Sequence, residues 1–145
     1  MVVRSKAPLR VSFAGGGTDI YHYFKDAGGY VVNSTIDKYC RGTLIKRGGR
    51  QIILRSFDFD REEVIDDLRY VTYDGPLALV KAVIKLMKPS FGFDLILHSD
   101  VPPGTGLGSS AAIAAVVASL LNHFKEEKLD DYQLSELIYR VEREE

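Results

Sequence analysis

The segment Pro102 to Ala112, PPGTGLGSSAA, sets Gly104, Gly106 and Gly108 beside two adjacent serines and the start of a small apolar run. Glycines at these positions let the main chain take positive φ and approach a ligand closely. Where such a turn opens a helix, unpaired backbone N–H groups and aligned peptide dipoles favour an anion. Ser109 can donate its hydroxyl to phosphate; Ser110 can do the same or ligate Mg²⁺, a hard cation suited to oxygen. The turn holds no lysine and so departs from the Walker-A pattern GxxxxGK[ST]. Its countercharge must come from elsewhere in the chain or from magnesium. These residue types suit the gripping of a polyphosphate, with nucleotide-dependent phosphoryl transfer as its use.

The elements that must position this turn are readable from patterning. Phe93 to Asp100, FDLILHSD, alternates like a half-buried strand and leads into it. The run from Ala111 to Phe124 is apolar enough for a buried helix packed on a sheet. Upstream, Leu9 to Ala14 predicts a strand that ends at Gly15, Gly16 and Gly17, after which Thr18 or Asp19 caps Ile20 to Ala27. Tyr30 to Leu44 predicts a long strand, and Gly48 and Gly49 turn it back into Gln51 to Phe57 as an antiparallel hairpin. The acidic stretch Asp58, Asp60, Glu62, Glu63, Asp66 and Asp67 reads as a solvated turn and helix start rather than a metal cluster. Leu77 to Met87 carries helix-spaced Leu77, Val80, Ala82, Val83 and Leu86 and is closed by Pro89. Asp130 starts a last helix with Leu134, Leu137, Ile138 and Val141 on one face. One domain is expected.

Nineteen Lys plus Arg against 20 Asp plus Glu leave no broadly basic surface, so a nucleic-acid module is not expected. The single cysteine, Cys40, forms no internal disulfide and reads as a small buried side chain, which fits a reducing cytoplasm. No apolar run reaches membrane-spanning length, Ala111 to Leu121 included, so a soluble cytoplasmic protein without a membrane partner is expected. The last helical pattern reaches Glu145 with no Gly or Pro stop, and the chain is expected to be cut off there.

Pro102 to Ala111 resembles the phosphate-binding motif P-x-x-x-G-L-G-S-S-A of the GHMP kinases, the superfamily of galactokinase, homoserine kinase, mevalonate kinase and phosphomevalonate kinase. The resemblance implies an α+β, ribosomal-protein-S5-domain-2-like fold. It also implies that Pro103, Gly104, Thr105, Gly106, Leu107, Gly108, Ser109 and Ser110 wrap the phosphates of ATP. By the same resemblance Ser110 and Glu142 attend Mg²⁺, with Glu144 as a register alternative.

A second match, APLRVSFAGGGTD from Ala7 to Asp19, resembles the family opening that carries an arginine and a glycine turn toward the acceptor. It is less like the GEHTD form of galactokinases than like the D-glycero-D-manno-heptose 7-phosphate kinase group and fucokinase-type relatives. GGYVVNSTIDKY, Gly28 to Tyr39, resembles the same group. Arg10, Thr18 and Asp19 are then acceptor contacts; on residue chemistry alone, Arg10 is equally an ion-pair residue, and Thr18 and Asp19 equally caps. A phosphorylated acceptor needs further cations, for which Lys6, Arg10, Lys38 and Arg41 are available. His22, near the same turn, serves either packing or catalysis.

The resemblance implies that residues 1–145 are a truncated GHMP kinase amino-terminal ATP-binding domain, lacking its carboxy-terminal domain. It places the catalytic aspartate in a GGxQD-type segment beyond Glu145, so no catalytic residue is assigned here and the chain alone is expected to turn over little. The expected ligands are ATP, Mg²⁺ and a sugar or sugar phosphate, with self-association through surfaces exposed by truncation. A fucokinase-like or other small-molecule kinase, and a noncatalytic nucleotide-binding fragment, are the alternative readings.

Overall fold

Five strands form one mixed sheet in a computed structural model that describes the backbone of residues 1–144 and the side chains of residues 1–142. In chain order they are β1 (Val2–Ala14), β2 (Val32–Arg47), β3 (Ile52–Ser56), β4 (Arg61–Ile65) and β5 (Gly92–Ser99). Their spatial order is β1-β2-β5-β3-β4; β5 runs antiparallel to β2 and parallel to β3. The helices are α1 (Tyr21–Ala27), α2 (Ala78–Met87), α3 (Ser109–Asn122) and α4 (Asp131–Glu144).

The core forms where the sheet meets α2 and α3. Leu44, Leu95 and Leu54 are register partners across β2, β5 and β3 and are fully buried. They lie in one cluster with Val83 and Ile84 of α2 and Val116 and Val117 of α3. Each such aliphatic side chain contributes about 1.5–3 kcal/mol on burial. The absence of a side chain at Gly42 of β2 lets α3 approach the sheet. A Cβ added at Gly42 would lie 2.5 Å from Val116 Cγ1 and 2.9 Å from Leu120 Cδ1.

Three expectations are corrected. The β2–β3 hairpin does not form, because β5 inserts between the two strands. The loop after Arg47 instead crosses the start of β5: Gly92 N–H donates to Gly49 O at 2.8 Å and Phe93 N–H to Gln51 O at 3.1 Å. Second, neither Thr18 nor Asp19 caps α1, whose N-cap is Ile20 without a side-chain bond. Third, the acidic stretch is partly strand: Glu62 and Glu63 lie in β4, while Asp67 caps a 3-10 turn over Leu68–Tyr70.

Smaller differences have simple causes. β1 starts at Val2, not Leu9, since an edge strand tolerates Pro8. On α2, Leu86 faces solvent at 50% exposure, while Lys81 and Ile84 are buried. The start of α4 is as expected: Asp130 accepts from Gln133 N–H at 2.8 Å, and Gln133 Oε1 accepts from Asp130 N–H at 2.9 Å.

Candidate active site

The glycine turn joins the end of β5 to the start of α3, at the rim of the core. Gly104, Gly106 and Gly108 have φ of 82°, 71° and 77°, so each occupies backbone space that side chains rarely enter. Gly108 is the N-cap of α3, and no side chain caps it. The mouth of this 14-residue helix therefore presents backbone donors beside a segment that is mostly exposed.

A cationic side chain reaches the turn from β1. Arg10 donates its backbone N–H to Leu107 O at 3.0 Å, and its Nη1 reaches Gly106 O at 3.4 Å. Its guanidinium lies 3.5 Å from the point a Gly108 Cβ would occupy. At the other end of the turn, Asp100 accepts Tyr39 N–H at 2.9 Å and pairs with Arg41, while its own N–H donates to Tyr39 O at 3.0 Å. Arg41 first, and then the Tyr39 amide, hold the Asp100 carboxyl below its ordinary range.

The first turn of α3 meets α4. Ser110 Oγ donates to Glu142 Oε1 at 2.8 Å, bringing together the two residues expected to attend a cation. A hydroxyl and a carboxylate suit Mg²⁺, which takes few protein oxygens and completes its shell with phosphate and water. Glu144, the register alternative, has its side chain outside the described residues.

Beside the turn lies a cavity of about 250 Å³. Its apolar walls include Phe59, Pro76, Leu77, Val80, Val101 and Ile113, and Pro103, Gly104, Ser109 and Ser110 border it. Asp58 fixes the β3–β4 turn that supplies Phe59: its Oδ1 accepts Ser99 N–H at 3.0 Å and faces His98 Nδ1 at 3.3 Å.

The amino-terminal residues divide their roles. Thr18 accepts Tyr30 N–H at 3.0 Å, and its hydroxyl lies 2.8 Å from Gly15 O and 3.0 Å from Tyr30 O, donating to one of them. It thus clasps the glycine turn to the chain entering β2. Asp19 is exposed and closes the 3-10 turn Gly16–Thr18. Lys6 sits 4.4 Å over the Tyr39 ring, and Lys38 is exposed. His22 lies on α1 with its ring against Tyr21. Cys40 is fully buried, its Sγ 3.7 Å from Ser109 O, and burial pushes its thiol up.

Residues 78–145 match the family model of the GHMP kinases N terminal domain. A D-glycero-alpha-D-manno-heptose 7-phosphate kinase of Campylobacter jejuni subsp. jejuni serotype O:2 is 35% identical over 98% of this chain and 43% of its own.

The chain belongs to the GHMP kinase superfamily.

A solved D-glycero-D-manno-heptose 1-phosphate kinase of Bacteriodes thetaiotaomicron superposes on this GHMP kinase chain with a TM-score of 0.86 at 30% identity. The match covers 99% of this chain and 48% of that one. The mevalonate kinase of Methanococcus jannaschii shares the fold, with a TM-score of 0.83 at 22% identity over 99% of this chain and 47% of that one. The chain spans less than half the length of these relatives. The α+β GHMP kinase amino-terminal fold is as expected. Sequence reasoning missed the cavity walls and the buried Lys81; a lysine flanked by Val80, Ala82, Val83 and Ile84 was the available signal for the latter.

Proposed function

We propose that this chain is the ATP-binding, amino-terminal part of a longer sugar kinase that transfers the γ-phosphoryl group of ATP to a sugar hydroxyl, with D-glycero-D-manno-heptose 7-phosphate as acceptor. The observation that carries the reading is the uncapped mouth of α3, flanked by Arg10, by the Ser110–Glu142 pair and by an apolar cavity. In this reading the cavity takes the nucleoside, and the amides of residues 104–110 take the phosphates. Arg10 adds positive charge beneath the turn. Ser110 and Glu142 would hold Mg²⁺, which offsets polyphosphate charge when bound.

The acceptor hydroxyl oxygen gives its proton to a base as it bonds to the γ-phosphorus, and the bond from that phosphorus to the β–γ bridging oxygen breaks, its electron pair leaving with ADP. This chain's part is to bind and align the nucleotide, since positioning and charge stabilisation carry most of such a reaction. Asp19 belongs to the acceptor side, Arg10 serves the acceptor as well as the phosphate turn it touches, and Thr18 acts on the acceptor side through the turn it clasps. The general base is assigned to none of these residues. The reaction takes place in the cytoplasm.

Calorimetric titration with ATP, with and without MgCl₂, tests the binding half. A phosphorylation panel of heptose 7-phosphate, heptose 1-phosphate, fucose, galactose and mevalonate on the full-length kinase tests the acceptor. Absence of magnesium-linked ATP binding overturns the nucleotide reading, and preference for another acceptor overturns the heptose assignment alone.

A further inference from the structure

Lys81, in the first turn of α2, is buried although charged, its side chain only 5% exposed. Its Nζ donates to Asp74 O at 2.9 Å and Asp74 Oδ1 at 3.3 Å, and faces Glu63 Oε2 at 3.2 Å. Three acceptors thus meet the three donors of an ammonium. Two of them belong to the segment 71–77, the third to β4. Thr72 Oγ1 donates to Asp74 Oδ1 at 2.5 Å, tightening the same loop.

That segment borders the site on two sides. Pro76 and Leu77 wall the apolar cavity, and Tyr73 lines a second hollow together with Ser110 and Glu142. A buried ion pair is a weak source of stability, because desolvating the ammonium offsets most of its attraction. An apolar side chain here would match its neighbours Val80, Ala82, Val83 and Ile84. The lysine is therefore better explained by what it holds than by what it stabilises.

We propose that Lys81 is a positioning residue for the nucleotide: through Asp74 it fixes the segment 71–77 against α2, and through Glu63 it ties both to β4, keeping the cavity wall and Tyr73 in binding position. This rests on the cavity being the nucleoside site. Asp74 and Glu63 have side chains 80% and 31% exposed, so water can hydrate both once the ammonium is gone. Lys81→Met keeps the apolar stem and should leave the fold standing.

The test pairs a ligand-free readout with a binding readout, on the full chain. In Lys81→Met, amide hydrogen exchange across residues 71–77 should quicken while β5 and α3 stay protected. Affinity for Mg·ATP should fall about tenfold, the scale of one lost charged hydrogen bond. Lys81→Arg, which can reach the same acceptors, should restore both. Unchanged exchange overturns the proposal, as does quickened exchange with unchanged ATP affinity. If the wild-type chain itself fails to bind Mg·ATP, the nucleotide reading fails and takes this proposal with it, a result distinct from either. Should Lys81→Met not fold, the Glu63→Gln/Asp74→Asn double variant keeps α2 intact; quickened exchange in residues 71–77 with weaker ATP binding supports the proposal, and wild-type behaviour in either overturns it.

Discussion

Arg10 and Leu107 are joined by a 3.0 Å main-chain hydrogen bond that ties the edge strand of the sheet to the glycine turn. The Arg10 side chain follows the same path, its Nη1 reaching Gly106 O. Arg10→Met keeps the main-chain bond and most of the packing but removes the charge. It should weaken ATP binding by about five- to tenfold, with a loss that shrinks at high salt. Fluorescent-nucleotide titration at two ionic strengths measures this; equal affinity for both proteins would remove Arg10 from the phosphate site.

Ser110→Ala and Glu142→Gln should each weaken ATP binding when Mg²⁺ is present and change it little in EDTA. Because the two side chains touch at 2.8 Å, their effects should not add. A double-mutant cycle should give a coupling of about 0.5–3 kcal/mol. Additive losses, or losses that persist without metal, would separate the pair from the cation.

Gly42 lies under α3, where an added methyl meets Val116 and Leu120. Gly42→Ala should destabilise the chain by about 1–3 kcal/mol through overpacking. The denaturation midpoint in urea should fall with an unchanged slope. A stabilised variant would show that α3 sits farther from β2 than described.

Asp67 is held at about 2, down from 3.8, by the Arg69 guanidinium and then the Arg69 amide. A carboxylate with a lowered folded value stabilises above its unfolded value and loses that contribution as acid protonates it. The loss should fall between pH 3.8 and about 2. Asp67→Asn should therefore show a shallower fall in melting temperature across that window. The site is exposed, so the difference should be small and reduced by salt. Parallel pH profiles for the two proteins would refute the linkage.

The glycine turn, its flanking strand and α3 were legible because all three are local patterns: positive-φ glycines, period-two alternation and a run of small apolar residues. The partnership of Ser110 with Glu142 was reachable only through family resemblance, since nothing in a separation of 32 positions announces it. Sheet order was misread for a related reason. Gly48 and Gly49 do mark a turn, but local turn chemistry cannot disclose that Gly92–Ser99 will occupy the space between the strands it joins. Thr18 was misassigned because a hydroxyl just ahead of a helix has two competing partners. Here its oxygen accepts the Tyr30 N–H in place of a helix amide, and its proton goes to the carbonyl of Gly15 or of Tyr30. Lys81 escaped notice because a charge on a helix is ordinarily solvated, and its three acceptors are supplied by tertiary packing.

The insertion of β5 between β2 and β3 also bears on how the molecule is made. As the polypeptide emerges during synthesis, the first four strands must wait with a vacant slot at the middle of the sheet. Premature pairing of β2 with β3 would be a trap that must reopen before folding can proceed. The strand that fills the slot leads directly into the glycine turn, so the strand that closes the sheet also sets where that turn stands. A nascent or damaged chain short of that point would carry neither a finished core nor the glycine turn with its helix mouth.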